Sequence, residues 1–565
     1  MSKPLNYFLL IFILAVSAGA TFSIDYKLHS TFAQNSTSAG NNAISINQKK
    51  TSVTTTDKGE LQIAVSKKDM EKLRNNGFVD YETFGAKGDG ATDDIDAIAG
   101  AHLYANQYNL PVKTKDGATY YIGGKNRKAE IRTNTDFGTS KFIIDDRKVE
   151  KVSEHVFLVN STLSSVELNR IKTLKRNQPK IDATFAGTNV ISVTNNKVKR
   201  YIRFGPNQNS GASQTDVFIV DKDGNVDKNT PVIWDFDEIS SITALPIDET
   251  VLTIKGGKFQ TIANAEGQKT NYYSRGISVK RSNVVIDGLL HTITSEGEVG
   301  APYMGFISVS ECAFVTVQNT TLTGHKTYQK IGAAGTTVSM GTYDLTANRA
   351  LNISVVNCKQ TNDINDRSYW GIFASNFCKN ILFDNCHFSR FDAHMGVANA
   401  TIRNSTLGHQ GINAIGEGLL LIENTKIQSN RLVNLRDDYG STWNGELIIR
   451  NCEFTPAGNN LSSVSVITGR NDGQHNFGYV CYMPERITIE NLLIRDSKTT
   501  SGDKGPAVFA DFNPKKNDES YVEKFPYIIT KELIIKNIAT ESGKPFRISD
   551  NEFIFKDVVV RDSTK

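Results

Sequence analysis

Between residues 363 and 443 the chain gathers the side chains that could do chemistry. The stretch contains Asp366-Arg367-Ser368-Tyr369-Trp370-Gly371, Ser389-Arg390-Phe391-Asp392-Ala393-His394 and Gly408-His409-Gln410-Gly411. It closes with Asn430-Arg431, Asn434-Leu435-Arg436-Asp437-Asp438-Tyr439-Gly440 and Trp443. His394 and His409 are candidate bases. Arg436 can clamp a carboxylate with two parallel bonds and stabilise charge that develops beside it. Tyr439 can return a proton to a leaving oxygen. Together they fit removal of a weakly acidic proton next to a carboxylate, followed by elimination. Arg367, Trp370, Arg390, Asn413, Arg431, Asn434 and Trp443 are the candidate binding residues. Asp392, Asp437 and Asp438 open a second chemistry, hydrolysis by paired carboxyl groups about 5–5.5 or 6.5–9.5 Å apart. Each residue also has a plainer reading: arginines closing ion pairs, tryptophans anchoring loops, Asp437 and Asp438 ending a strand before Gly440.

A short repeated phrase must position these residues. A few alternating apolar residues end in Asn at 319, 357, 385, 404, 424, 451, 491 and 537, and two earlier copies end at Gly256 and Gly288. From Asn385 to Asn404 to Asn424 the spacing is 19 and then 20 residues. Strand-type repeats of this period imply a solenoid, in which each turn buries its apolar face by stacking on its neighbours. Asn suits the bend because it tolerates left-handed backbone, and its amide can bond along the stack. A second strand precedes each Asn-ended one, as in Gly371–Ser375, Gly411–Ile415 and Leu432–Arg436. Alternation places Asn434 and Arg436 outward and Val433 and Leu435 inward. Counted from the ladder Asn, His394 and His409 fall in polar columns of adjacent coils, about 4.8 Å apart.

The segment Phe84-Gly85-Ala86-Lys87-Gly88-Asp89-Gly90-Ala91-Thr92-Asp93-Asp94 leads into a helical pattern with Ile95, Ile98, Ala99 and Leu103 on one face. Thr92 or Asp93 can cap it. The segment lacks the Lys-Ser/Thr ending of a phosphate loop. With the Asn ladder, it resembles the entry segment of the pectate-lyase-like superfamily, which includes polysaccharide lyases, glycoside hydrolases and phage tailspikes. The resemblance implies an all-β fold, a right-handed parallel β-helix with an N-terminal capping helix. It also implies a polysaccharide partner, and Trp370 and Trp443 could stack on sugar rings. Three functions stay open: a β-elimination lyase on a uronic-acid-containing glycan, a glycoside hydrolase, and a non-catalytic carbohydrate-binding protein. Family-28 hydrolase strings are not found as a set. Gly408 to Gly411 only echoes one of them, which favours the lyase. No cofactor is required. Ca²⁺ could serve, as in some relatives, with Asp363, Asp366, Asp437 and Asp438 as oxygen donors, although no acidic motif demands a metal.

Lys3, an apolar run from Tyr7 to Ala20 and a small-residue end read as a secretory signal within residues 1–33, so the mature chain is expected to be secreted, periplasmic or at the cell surface. Residues 34–75 read as a flexible polar tether, 76–270 as a cap and irregular early coils, and 271–565 as the regular helix. Strand-like segments at 189–193, 201–204, 217–220 and 232–236 are taken as early coils with insertions, a separate small β domain being the alternative. No later segment is long and apolar enough to span a bilayer. A net charge of +4 over 565 residues gives no footprint for nucleic acid. Three of the six cysteines, Cys358, Cys386 and Cys452, directly follow the repeated Asn, where Thr320, Ser405 and Thr425 stand in other copies. This predicts free thiols stacked inside the coils.

Overall fold

Every Asn of the repeat adopts the left-handed conformation, with φ between +48° and +54°, and Gly256 and Gly288 adopt it at +69° and +71°. The computed structural model describes residues 44–47, 50–264, 274–296, 304–457, 464–497 and 504–562. The strands before these bends pair in parallel and in register. One core column runs Ile353, Ile381, Ala400, Leu420, Leu447, Ile487, Leu533, and all seven are buried. Such stacking produces the right-handed parallel β-helix, with a continuous apolar interior and polar side chains on alternate positions outside.

The ladder amides bond along the stack, Asn357 to Asn319 at 2.6 Å, Asn385 to Asn357 at 2.9 Å and Asn537 to Asn491 at 3.0 Å. They do so on the surface, since every ladder Asn is exposed. The residue after each Asn turns inward instead. Thr320, Cys358, Cys386, Ser405, Thr425 and Cys452 are buried, and all six cysteines are free and buried, as the repeat predicts. A second ladder, Asn352–Asn380–Asn399, also left-handed, lines another bend.

The helix Ile95–Tyr108 covers the first coils with Ile95, Ile98, Ala99, Ala101 and Ala105 buried. Asp93 accepts from Ile95 N at 3.2 Å, while Asp94 holds the Gly-rich entry through Lys87 N and Gly88 N. Part of the stretch expected as a tether is folded. Strands Ile44–Asn47, Ser52–Thr55 and Leu61–Ser66 form a small sheet, followed by a helix, Lys67–Asn76, capped by Ser66. Its polar strands still present Ile63 and Val65 to the core. Residues 1–33, the expected signal, lie outside the described residues.

Strand Leu252–Ile262 pairs directly and in parallel with Thr135–Asp145, so the β-helix is continuous across more than a hundred intervening residues. Those expected as early coils at 189–193 and 217–220 instead belong to an antiparallel insert. Its sheet comprises Val166–Glu167, Asn189–Arg200, Ala212–Val220 and Ser241–Pro246, around a core of its own that includes Ile191, Phe218 and Phe236. Segments 201–204 and 232–236 form no strand. Alternating apolar residues read alike in parallel and antiparallel strands, which is why the pattern misled. The insert is tied to the helix by a buried ion pair, Lys379–Asp216 at 2.7 Å, and by Arg176–Glu417 at 2.8 Å.

Candidate active site

The outward positions of one sheet form two polar columns. Ser310, Asn348 and Asn376 stand in register, as do Asp392, Asn413, Asn434 and Thr468. Between the two the register slips: Ser375 pairs with Ala393, but Asn376 pairs with Met395. The extra residue is His394. A bulge of this kind re-aims a side chain, and here it turns the imidazole into a cleft of about 920 Å³ that spans both columns. The insert supplies a roof. Ile202 N and Phe204 N donate to the carbonyls of Phe477 and Asp438 at 3.0 and 2.9 Å, while Ala334 N donates to the carbonyl of Pro206 at 3.0 Å.

Charge is concentrated beside His394. Asp392 is wholly buried and accepts from Arg390 at 2.6 Å and from the Tyr343 hydroxyl at 2.6 Å, with Arg436 at 3.6 Å. Asp438 is shared by Arg436, at 3.0 and 2.7 Å, and by Arg203 of the insert, at 2.8 and 2.7 Å. Burial pushes both carboxyls up, but the guanidiniums outweigh it: Arg390 and Arg436 hold Asp392, and Arg436 and Arg203 hold Asp438, below the ordinary range. Both stay ionised at neutral pH. Burial, then Arg436, pushes the His394 imidazole down to about 3, so it is neutral. Its Nδ1–H donates to Asn376 Oδ1 at 2.8 Å, which leaves the lone pair on Nε2. Burial also lifts the Tyr343 phenol well above its usual range.

Of the residues expected from sequence, His394, Arg436, Trp370, Arg390, Asn413 and Asn434 line the cleft. Trp370 packs flat against Gly341, and the Arg390 guanidinium lies 5.0 Å from its ring. His409 does not join His394. Phe388 pairs with Leu407 and Arg390 with Gly411, so the longer segment 408–410 bulges away from the column. His409 Nε2 then donates to the Tyr369 carbonyl at 3.2 Å. Tyr439 is 2% exposed. Its ring lies within 5.1 Å of the Arg436 guanidinium and meets His394 edge-on, and its carbonyl accepts from Tyr479. It supports the site from behind and does not face the cleft as a proton donor. Trp443 is fully buried with Nε1 on the Gly418 carbonyl, so it is core and cannot stack on a sugar. Arg431 bonds Asn430 and Asn434 at the margin, and Arg367 is exposed beside Ala457; neither lines the cleft.

Sequence reasoning missed Tyr343, Asn376 and Arg203. Arg203 lies more than two hundred residues before Asp438, and no local pattern joins them. Of the four aspartates considered for Ca²⁺, three are engaged separately, and the fourth, Asp437, lines the cleft. Asp363 and Asp366 hold turn residues Asn365 and Ser368, and Asp438 is taken by two guanidiniums. Among the described residues, no helix is long and apolar enough to cross a membrane.

No protein-family model matches the chain, and no curated protein does. Solved structures do. The tailspike gp61 of Pseudomonas phage phi297 aligns with a TM-score of 0.51 at 13% identity, over 86% of this chain and 84% of its own. The tailspike gp49 of Pseudomonas phage LKA1 aligns at 0.48 and 12%, over 84% and 83%. The gp54 tailspike of Acinetobacter baumannii phage AP22, solved with an A. baumannii capsular saccharide, aligns at 0.49 and 9%, over 90% and 81%. At these identities the likeness is one of fold, the parallel β-helix.

Proposed function

We propose that this chain is a polysaccharide lyase that breaks a uronic-acid-containing glycan by β-elimination, with His394 as the base. One observation carries the reading: the cleft holds a neutral imidazole with a free Nε2, while both neighbouring carboxylates are held ionised by arginines. Hydrolysis needs a carboxyl group that is protonated near neutral pH; Asp392 and Asp438 do not meet that need, and Asp437, which lines the same cleft, is the carboxyl group left to that second reading. Elimination needs a base and a positive wall. Around the cleft as a whole, Arg203, Lys280, Arg349, Arg390 and Arg436 stand against Glu311, Asp392, Asp437 and Asp438, which leaves one positive charge in excess.

A uronate whose carboxylate faces these guanidiniums has its neighbouring C–H acidified, because charge delocalised onto the carboxylate is stabilised as it forms. Nε2 of His394 takes that proton. The electron pair forms the carbon–carbon double bond as the glycosidic C–O bond breaks, and the leaving oxygen is protonated. Tyr343 is the phenol of the cleft; its hydroxyl donates to Asp392 and would supply that proton by turning from Asp392 to the leaving oxygen. A substrate carboxylate beside His394 also raises the imidazole toward the working range of a base. The export expected from a signal within residues 1–33 would bring the chain to such a polymer. The test is incubation with acidic and neutral polysaccharides, reading unsaturated uronate absorbance and reducing ends together. Both signals rising supports elimination, and reducing ends alone would assign hydrolysis.

A further inference from the structure

The polar groove does not end at the catalytic coil. Val279, Val309, Ala347, Ser375 and Ala393 follow one another in parallel register. Lys280, next to Val279, therefore stands four coils from His394, about 19 Å away at the spacing of neighbouring strands. It lines the same cleft. Ser310, Asn348 and Asn376 fill the outward positions between, all small and uncharged.

The cations of this cleft differ in one respect. Arg203, Arg390 and Arg436 are taken by Asp438 and Asp392, and Arg349 pairs with Glu311 at 2.8 Å. The Lys280 ammonium is exposed and has no carboxylate or hydrogen-bond partner among the described residues. Some cations on this helix pair along the stack, as Arg403 does with Asp384 and Arg450 with Glu423. An unpaired ammonium at the far end of a neutral polar column is available to a ligand.

We propose that Lys280 anchors a distal subsite for an anionic sugar, so that the glycan runs along the helix axis from His394 to Lys280. This rests on the glycan reading of the cleft. It makes affinity depend on chain length: an oligomer that reaches across about 19 Å gains the contact, and a shorter one does not.

The test compares wild type with Lys280→Ala and Lys280→Arg on short and long fragments of polygalacturonate, alginate and hyaluronan. Turnover is measured on whichever polymer is cleaved. Binding of the same labelled fragments is measured by fluorescence anisotropy, with and without added salt. Lys280→Ala should raise KM and Kd for long fragments by about 3- to 10-fold, leave kcat and short fragments unchanged, and lose its effect at high salt. Lys280→Arg should restore most of the affinity. Equal effects on both lengths, or none on either, would overturn the subsite. Cleavage without any Lys280 dependence would refute the subsite and leave the lyase reading standing. Length-dependent binding through Lys280 without cleavage would do the reverse, and no binding by any anionic fragment would overturn both.

Discussion

Replacing Asp392 by Asn changes one charge and almost no volume, and its consequence can be worked from the geometry. The carboxylate is wholly buried between two guanidiniums that are themselves only 7% and 10% exposed. In the variant Arg390 keeps Gln410 and Arg436 keeps Asp438, but a buried positive charge loses its counter-ion. Breaking a buried pair from one side costs about 3–5 kcal/mol. At about 2.1 cal/mol/K per residue, unfolding of the whole solenoid as one unit turns this into a fall in Tm of about 3–5 °C. Asp438→Asn should cost less, about 1–2 kcal/mol, because that carboxylate is 19% exposed and water screens it. The pH dependence has a definite sign. The Asp392 carboxyl is held below its unfolded value of about 3.9. Its contribution is therefore present above that pH and is lost as pH falls through the folded value. Scanning calorimetry of both variants from neutral to acid pH would show the Asp392→Asn gap closing below about pH 4. A variant as stable as wild type at neutral pH, or a gap that widens in acid, would refute the buried-pair account.

Other consequences follow from the same contacts. Arg203→Ala removes two bonds to Asp438 and should lower kcat/KM about tenfold with little change in Tm, an effect that steady-state kinetics and calorimetry together would detect. Asn404→Leu should cost about 1–2 kcal/mol because φ is +52°, while Asn404→Gly should cost less; denaturant titration distinguishes this backbone cause from loss of a buried amide. Thiol reagents should label no cysteine of the folded protein and all six after denaturation, since burial raises every thiol that it affects.

The fold was legible because one physical requirement recurs. A bend that needs φ near +50° selects Asn or Gly, and in six of the eight Asn copies the buried position beside it is Cys, Ser or Thr. The site was half legible. Alternation placed Asn434 and Arg436 outward correctly, because that strand has no bulge. Counting from the ladder failed for His409, where three residues occupy the span of one. Tyr439 and Trp443 lie next to polar residues in sequence, yet both side chains turn into the protein, and composition cannot show which way a side chain turns. The ladder asparagines bond to one another yet stay exposed, since the bend lies on the outer surface. Arg203 was beyond reach because the insert that carries it read as further coils.

In the proposed elimination His394 is the base. The most direct measurement is unsaturated uronate released from acidic polysaccharides by wild type and by His394→Ala, followed across pH. Wild type should generate the double bond, and its free-enzyme profile should show no acid inflection near the ordinary histidine value of about 6.5, because the imidazole stays neutral down to about 3. His394→Ala should lose about 10²–10⁴-fold in kcat at unchanged Tm. Near-full activity in that variant, or cleavage that yields reducing ends without the double bond, would contradict the account.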